Sequence, residues 1–352
     1  MPRSKLVRVA VVGLGAIGPV HIEGYKQCGN AEIIAVCDTR KELVKKWSKE
    51  LGVDGYTSYI ELLKREDLDA VSICTPHYLH APMTIAAAVY GKHVLVEKPM
   101  ATSLMEADEM INACREAGVK LGVIFQSRFA EGPKRVKRIL EEGRLGKIVM
   151  AEAIVKWFRS DTKYYHADKW AECWRGKWST EGGGALINQA IHTIDLFQWF
   201  LGNIDHLYGL YGTYTHTINV EDTAVAVLKF KNGALGVLEG TVSMPKEFQE
   251  TKITILGSKG YVVLEDREIK VLKIEGEEVK AKEEKEGGVK ETLKVRPNLH
   301  ALQIRDFVDS IIENREPLVN GEEGRKSLEI IQAIYMSSRT GQPVKFPVKP
   351  LW

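Results

Sequence analysis

The stretch LVRVAVVGLGAIGPV, residues 6–20, decides the fold. An apolar, β-branched run ends abruptly in Gly13-Leu14-Gly15-Ala16-Ile17-Gly18, a G-x-G-x-x-G pattern. Pro19 follows in the first turn of the predicted helix, where its missing N–H costs little. Strand, glycine turn and helix in that order open a βαβ unit that grips a dinucleotide. The first glycine permits the tight turn, the second lets backbone approach a pyrophosphate, and the third lets helix pack closely on strand. Ala16 and Ile17 lie at the helix start, where free N–H groups and the macrodipole favour phosphate. The six-residue pattern alone is weak. Its flanking strand and helix make a glycine turn without a ligand the poorer reading.

Working outward, the second strand EIIAVCD (32–38) ends on Asp38. A carboxylate there accepts hydrogen bonds from both adenosine ribose hydroxyls and repels a 2′-phosphate, so the expected cofactor is NAD rather than NADP. Arg40 pulls the other way, since a nearby arginine can accommodate that phosphate. Further strands are predicted at 70–75, 93–97 and 119–125, with helices at 40–51, 78–90 and 103–117. This alternation predicts an α/β, doubly wound Rossmann domain over residues 1–127. From residue 128 the pattern changes to α+β. A helix (133–142), a strand (147–158), a segment rich in Trp, Tyr and Lys (159–181) and a helix (184–201) precede six successive strands. Those strands, at 206–216, 222–230, 235–243, 250–256, 260–265 and 268–274, are joined by turn signals such as Lys231-Asn232-Gly233 and read as antiparallel. Residues 275–292 read as a solvated hairpin or loop. Closing helices at 299–314 and 322–339 finish a second domain (128–352), and they are candidates to pack back on the first.

Bulk properties narrow the class. At 352 residues the chain exceeds one ordinary core. Lys and Arg total 49 against 47 Asp and Glu, which gives no basic excess for a nucleic-acid partner. No apolar run approaches the roughly 18 residues of a membrane span. Five scattered cysteines without a C-x-x-C pair predict a reduced, cytoplasmic protein with no cysteine metal site.

Two segments suggest chemistry. Glu97-Lys98-Pro99 follows the strand HVLVE, whose C-terminal end faces the ligand crevice of an open α/β sheet. A lysine there can act on a substrate hydroxyl once burial or neighbouring charge lowers its pKa. Taken alone, those three residues fit a surface lysine at a strand boundary better. Three glycines, Gly182 to Gly184, then precede a helix on which Asn188, His192 and Asp195 fall at i, i+4 and i+7. Such a histidine is as often a satisfied core residue. The glycine run and the polar stripe tilt it towards a site. His77 and His80 lack a carboxylate or cysteine partner at metal spacing, so no metal is expected.

Together GLGAIG, Asp38, Thr75-Pro76 with His80, Glu97-Lys98-Pro99, the helix after Gly182 and the closing GEEGRKSLEIIQAIYMSSRTGQPV (321–344) resemble the Gfo/Idh/MocA family of sugar and inositol oxidoreductases. The resemblance spans nearly the whole chain. It implies a Rossmann domain followed by a domain built on a large, mostly antiparallel open sheet, whose outer face makes homodimers or homotetramers. It implies that Lys98 is catalytic, hydrogen-bonding the hydroxyl being oxidised. Glu97 would help hold the nicotinamide ribose, and Thr75, Pro76 and His80 would border the cofactor. His192 matches the family's proton acceptor, but Asn188 stands where a carboxylate usually supports that histidine, leaving the base between Lys98 and His192. The pair is expected to act together. The Asn-containing helix with Trp174-Arg175-Gly176 resembles branches acting on hexoses, sugar acids or nucleotide-linked sugar uronates. Arg175 is then either a bidentate ligand for a substrate carboxylate or phosphate, or an exposed loop arginine. Gln126 and Arg128 are expected substrate contacts where the domains meet. The implied activity is NAD-dependent hydride transfer at a secondary alcohol or ketone of a sugar, inositol, sugar acid or nucleotide sugar. A glycosidase using NAD transiently, and a non-catalytic dinucleotide sensor, are the alternatives.

Overall fold

The computed structural model describes residues 6–276 and 298–349, so most of the expected 275–292 loop lies outside the described residues. Six strands, β1 (Val7–Val12), β2 (Ala31–Cys37), β3 (Asp54–Tyr56), β4 (Ala70–Ile73), β5 (His93–Val96) and β6 (Leu121–Val123), form one sheet in the order β3-β2-β1-β4-β5-β6. Every neighbouring pair is parallel. The strands alternate with helices α1 (Gly18–Lys26), α2 (Lys41–Leu51), α3 (Tyr59–Leu63), α4 (His80–Val89) and α5 (Leu104–Glu116). Residues of β4 are all buried because both faces of the sheet are covered. The strand order reverses between β1 and β4, and the C-terminal ends of those strands open the crevice. β3 and α3 escaped the sequence reading. β3 is a three-residue Asp-Gly-Tyr edge strand with no apolar alternation to reveal it.

After α6 (Glu131–Glu141) and β7 (Ile148–Lys156), the chain makes α7 (Lys169–Trp174), α8 (Trp178–Glu181) and α9 (Ile191–Leu201). It continues through β8 (Ile204–Gly212), β9 (Thr223–Phe230), β10 (Leu235–Thr241), β11 (Glu250–Gly257), β12 (Gly260–Glu265) and β13 (Glu268–Ile274). Helices α10 (Leu299–Glu313) and α11 (Gly321–Thr340) and the short β14 (Val344–Lys345) close it. The second sheet runs β13-β12-β11-β7-β10-β9-β8-β14. Its pairs are antiparallel except β7 with β10. One face is buried under α9 and α11. The other is more exposed and mixes ion pairs such as Lys156–Glu239 with apolar side chains, Tyr208 paired across to Val227 and Leu210 to Val225, and Leu235 and Leu256 exposed on β10 and β11.

Helix α10 returns to the first sheet, where Ile304, Phe307 and Val308 join Val7, Val9, Leu95 and Ile22 in one core. Each such fully buried side chain is worth about 1.5–3 kcal/mol. Helix α11 packs on α5 and β6 as well as on α9 and β8, so the two sheets share it.

Two expectations need correction. The predicted single helix at 184–201 is a π-helical turn, Ala185–Ala190, followed by α9. The Glu221 carboxylate accepts the N–H groups of Gly184 (2.7 Å) and Leu186 (2.9 Å), drawing the chain away from a regular helix start. Arg128 is not a substrate arm. Its Nε and Nη2 donate to Asp195 (2.9 and 2.7 Å) and its Nη1 to Glu323 (2.8 Å), with 1% of the side chain exposed. Breaking such a pair leaves an uncompensated buried charge. Arg128→Ala should therefore lower urea-unfolding stability by roughly 3–5 kcal/mol, and Arg128→Met with Asp195→Leu should restore most of it. A cost below about 1 kcal/mol would place the pair in solvent.

Candidate active site

The phosphate cradle is built as its glycines require. Gly13 has φ +90°, and a Cβ on it would lie 2.6 Å from the Cys74 carbonyl oxygen. At Gly15 an added Cβ meets only the Arg40 guanidinium, at 3.4 Å, leaving that backbone open to a ligand. The turn at the end of β1 thus fits a pyrophosphate. Asp38 ends β2 beside it and accepts Leu14 N–H at 2.7 Å. It also accepts from Arg40 N, Nε and Nη2 at 2.9, 3.0 and 3.0 Å. Burial works to raise the Asp38 carboxyl, but the bonds from Arg40 and Leu14 hold it below its ordinary value. Arg40 is stacked over Trp170, 4.9 Å from its centroid. Arg40 is therefore spent on the acid, an arrangement that suits ribose hydroxyls better than a 2′-phosphate.

Thr75 and Pro76 follow β4 and are half-buried along the crevice. His80 stands behind that wall. Its Nδ1 bonds the Pro99 carbonyl (2.7 Å) and its Nε2 the Thr75 carbonyl (2.8 Å), so both ring nitrogens are engaged and the side chain fixes two loops. Glu97 follows β5 and lies between two imidazoles, His21 Nε2 at 2.9 Å and His300 Nε2 at 3.5 Å. Burial would raise Glu97, yet these two partners hold it well below the usual carboxylate range. Among the described residues these three side chains form a group with metal-ligand spacing. His21 already uses both nitrogens, since its Nδ1 bonds Ser72 Oγ at 2.7 Å.

Lys98 turns into the crevice. Its Nζ donates to the Asn188 carbonyl (2.9 Å) and to Asn188 Oδ1 (3.2 Å). Burial lowers its pKa, Glu97 and Glu181 oppose that, and Arg159 and Arg175 add to it, leaving the net shift downward. His192 does not hydrogen-bond Lys98. Its Nδ1 is buried without a partner among the described residues, and its ring meets Phe125 edge-on at 5.9 Å. Burial first, then the Lys98 charge, pushes its pKa down to about 3, so the ring is neutral. The expected stripe thus divides. Asn188 faces Lys98, His192 lines a cavity with Trp157, Gln189, Lys252 and Arg267, and Asp195 faces Arg128.

Arg175 is not a loose loop arginine. It stacks 4.3 Å from the Tyr164 centroid, bonds the Tyr164 carbonyl at 2.9 Å and keeps a buried Nε without a partner among the described residues. Arg159 stacks on the same ring at 5.4 Å and gives Nε and Nη2 to Gln189 Oε1. Trp174 packs edge-on against His77, centroids 5.0 Å apart. Gln126 Oε1 is buried and unpartnered. Sequence reasoning missed Arg159, Gln189, Glu181, Glu221, His21 and His300. An acid before a glycine run reads as a surface turn, and nothing in the sequence pairs residue 21 with residue 300.

Residues 7–125 match the NAD-binding Rossmann fold of the Gfo/Idh/MocA oxidoreductases, and residues 137–346 match that family's C-terminal alpha/beta domain. The chain belongs to the Gfo/Idh/MocA family. It is an NAD-dependent oxidoreductase. The WlbA dehydrogenase of Bordetella pertussis, solved with NADH and UDP-GlcNAcA, is 34% identical, with 98% of this chain and 100% of that one covered and a TM-score of 0.85. The myo-inositol 2-dehydrogenase of Thermotoga maritima is 27% identical, covering 96% of this chain and 98% of its own. The scyllo-inositol 2-dehydrogenase (NAD(+)) of Bacillus subtilis is 26% identical, covering 97% of each. No helix among the described residues is long and apolar enough to cross a membrane.

Proposed function

We propose that this enzyme oxidises a secondary hydroxyl of an anionic sugar, a uronic acid carried on a nucleoside diphosphate, with Lys98 as the proton acceptor. One observation carries the choice of substrate. Arg159 and Arg175 stack on a single ring, Tyr164, whose hydroxyl accepts from the Asn188 amide that holds Lys98. Two guanidiniums beside a desolvated ammonium call for an anion, and Arg175 keeps an unpartnered donor for one. The likeness to the WlbA dehydrogenase over nearly the whole chain supports the same reading.

Bound NAD supplies the hydride acceptor, and the protein supplies geometry and proton handling. Asp38 holds the adenosine ribose, and the Gly13–Gly18 turn with Ala16 and Ile17 holds the pyrophosphate. Thr75 and Pro76 border the cofactor along the crevice. Glu97, fixed by His21 and His300, faces the nicotinamide ribose. Lys98 Nζ bonds the substrate hydroxyl and, with its pKa lowered, takes the proton. Neutral His192 hydrogen-bonds the same hydroxyl and orients it without carrying charge. Gln126 Oε1 accepts from a sugar hydroxyl, and Trp174 and Tyr164 pack the apolar C–H faces of the sugar.

The more exposed face of the second sheet, with the apolar side chains of Tyr208, Leu210, Val225, Val227, Leu235 and Leu256, supports a homodimer or homotetramer closed through that face. Five free thiols, four of them buried, support a cytoplasmic setting.

With NAD, UDP-GlcNAcA is expected to give a kcat/KM at least about tenfold above myo-inositol or glucose, a difference of about 1.4 kcal/mol. Lys98→Ala should lower kcat on the order of 10²–10⁴-fold. Preference for a neutral polyol would sink the anionic-substrate reading, and full activity in the alanine variant would sink the role of Lys98. In light scattering the protein should run as a dimer or tetramer and Val227→Lys as a smaller species. A monomeric parent would contradict the sheet-face assembly.

A further inference from the structure

Among the described residues no carboxylate is in contact with the ammonium of the crevice lysine. It is held by one asparagine, through the backbone oxygen and through Oδ1. An asparagine amide presents an oxygen on one side and two N–H donors on the other, and its neighbours decide which way it faces. On the side away from Lys98, Asn188 Nδ2 donates to Glu181 Oε1 and to Tyr164 Oη (3.0 Å). Glu181 is fully buried, and its second oxygen accepts Gly176 N–H at 2.5 Å.

We propose that Glu181 is a positioning residue of the reaction. Its ionised carboxylate locks the Asn188 amide with the oxygen towards Lys98, and so holds the ammonium in the crevice. This rests on the reading of Lys98 as the proton acceptor. An ionised carboxylate only accepts hydrogen bonds, so the N–H side of Asn188 must face it. A protonated Glu181 carries a donor of its own, which frees the amide to turn and to present N–H groups to the ammonium. Asn188 thus passes to Lys98 the influence of a carboxylate that sits behind it rather than at residue 188.

The charges around the pair favour this switch at near-neutral pH. Burial pushes the Glu181 carboxyl up to about 7, against the bonds from Gly176 and Asn188 and the charge of Arg175. Glu181 is also faced by Glu221, Tyr164, Tyr165, Tyr335 and Lys98. Lys98 is faced by Glu97, Arg159, Arg175, His77, His80 and His192. Burial likewise raises Glu221 to about 7, but its carboxylate bonds Gly184, Leu186 and Tyr335 and does not touch Asn188. Burial drives His77 and His192 far down, so both stay neutral, and burial lowers His80 as well. Glu97 is held ionised throughout. Among the described residues Glu181 is the acid that burial raises to about 7 and that also bonds the amide.

The test reads the lysine directly and needs no substrate. The full-length protein is treated with formaldehyde and cyanoborohydride across a pH series, and methylation of Lys98 is followed by peptide mass spectrometry. The rate below the midpoint reports charge, and the plateau at high pH reports access. Removing the negative charge destabilises the ammonium. In Glu181→Gln the midpoint should therefore fall by about 0.5–1 unit, which is a three- to tenfold faster reaction at a fixed pH below it. The plateau should stay unchanged. Glu181→Asp should keep the parental midpoint. Asn188→Ala should shift it in the same direction as Glu181→Gln, and the double variant should shift it no further. If the Gln variant fails to fold, Asn188→Ala carries the test alone. A midpoint that stays put in folded Gln or Ala variants overturns the proposal, as does a change confined to the plateau, which marks packing only. If Lys98→Ala abolishes turnover while the midpoint ignores Glu181, only this role falls. An active Lys98→Ala enzyme removes the reading beneath it.

Discussion

The site depends on keeping an ammonium in a half-buried crevice where, among the described residues, its contacts are oxygen dipoles. Taking a lysine charge out of water is costly unless hydrogen bonds replace the hydration it loses. Here β5 delivers Lys98 to the sheet's C-terminal edge, and two oxygens of Asn188 receive it. Partial desolvation raises the share of Lys98 present as the neutral amine, the form that can take a proton, because burial disfavours its charged form. The nearby arginines push in the same direction and leave positive charge for a substrate to answer. The proposed affinity for an anion and the lowered lysine pKa would then be two results of one arrangement.

Asn188 can stand there only because the chain before it is bent out of a regular helix. Gly183 has φ +155°, and a Cβ on it would lie 2.2 Å from Tyr335 Oη. The run of glycines lets the chain press against α11, where Glu221 gathers the N–H groups of Gly184 and Leu186 and the Tyr335 hydroxyl. The π-helical turn that results carries Asn188 towards the crevice, and α9 then sets the His192 ring against Phe125, within reach of the Lys98 charge. Because α11 also packs on β6 and α5, the helix that braces this turn is seated on the dinucleotide-binding sheet. The two halves of the site are thereby held in register by one helix.

Much of this was legible in the sequence. The glycine turn, Asp38 and Glu97-Lys98-Pro99 depend on local order along the chain, and the parallel sheet follows from strand–helix alternation. The family resemblance and the matched regions agree over almost the whole chain. What could not be read depends on contacts between distant residues. Arg128 looked like a crevice residue by its place after β6, but Asp195 and Glu323 claim all of its guanidinium. The spacing of Asn188, His192 and Asp195 assumed 3.6 residues per turn, and a wider π turn scattered them. Glu181 and Glu221 drew no reading from the sequence, because burial leaves no mark on a single acidic letter. His80 was placed in the right loop, while its two backbone partners are visible only in three dimensions.

The most direct test of the account is the ionisation of Lys98 in the intact enzyme, followed by the ¹³Cε chemical shift of labelled lysine, with Lys98→Ala to assign the resonance. The account predicts a midpoint clearly below the 10.5 of an ordinary lysine. A midpoint at or above that value would contradict it, since an ammonium no harder to keep charged than a surface lysine is neither desolvated nor prepared to take a proton.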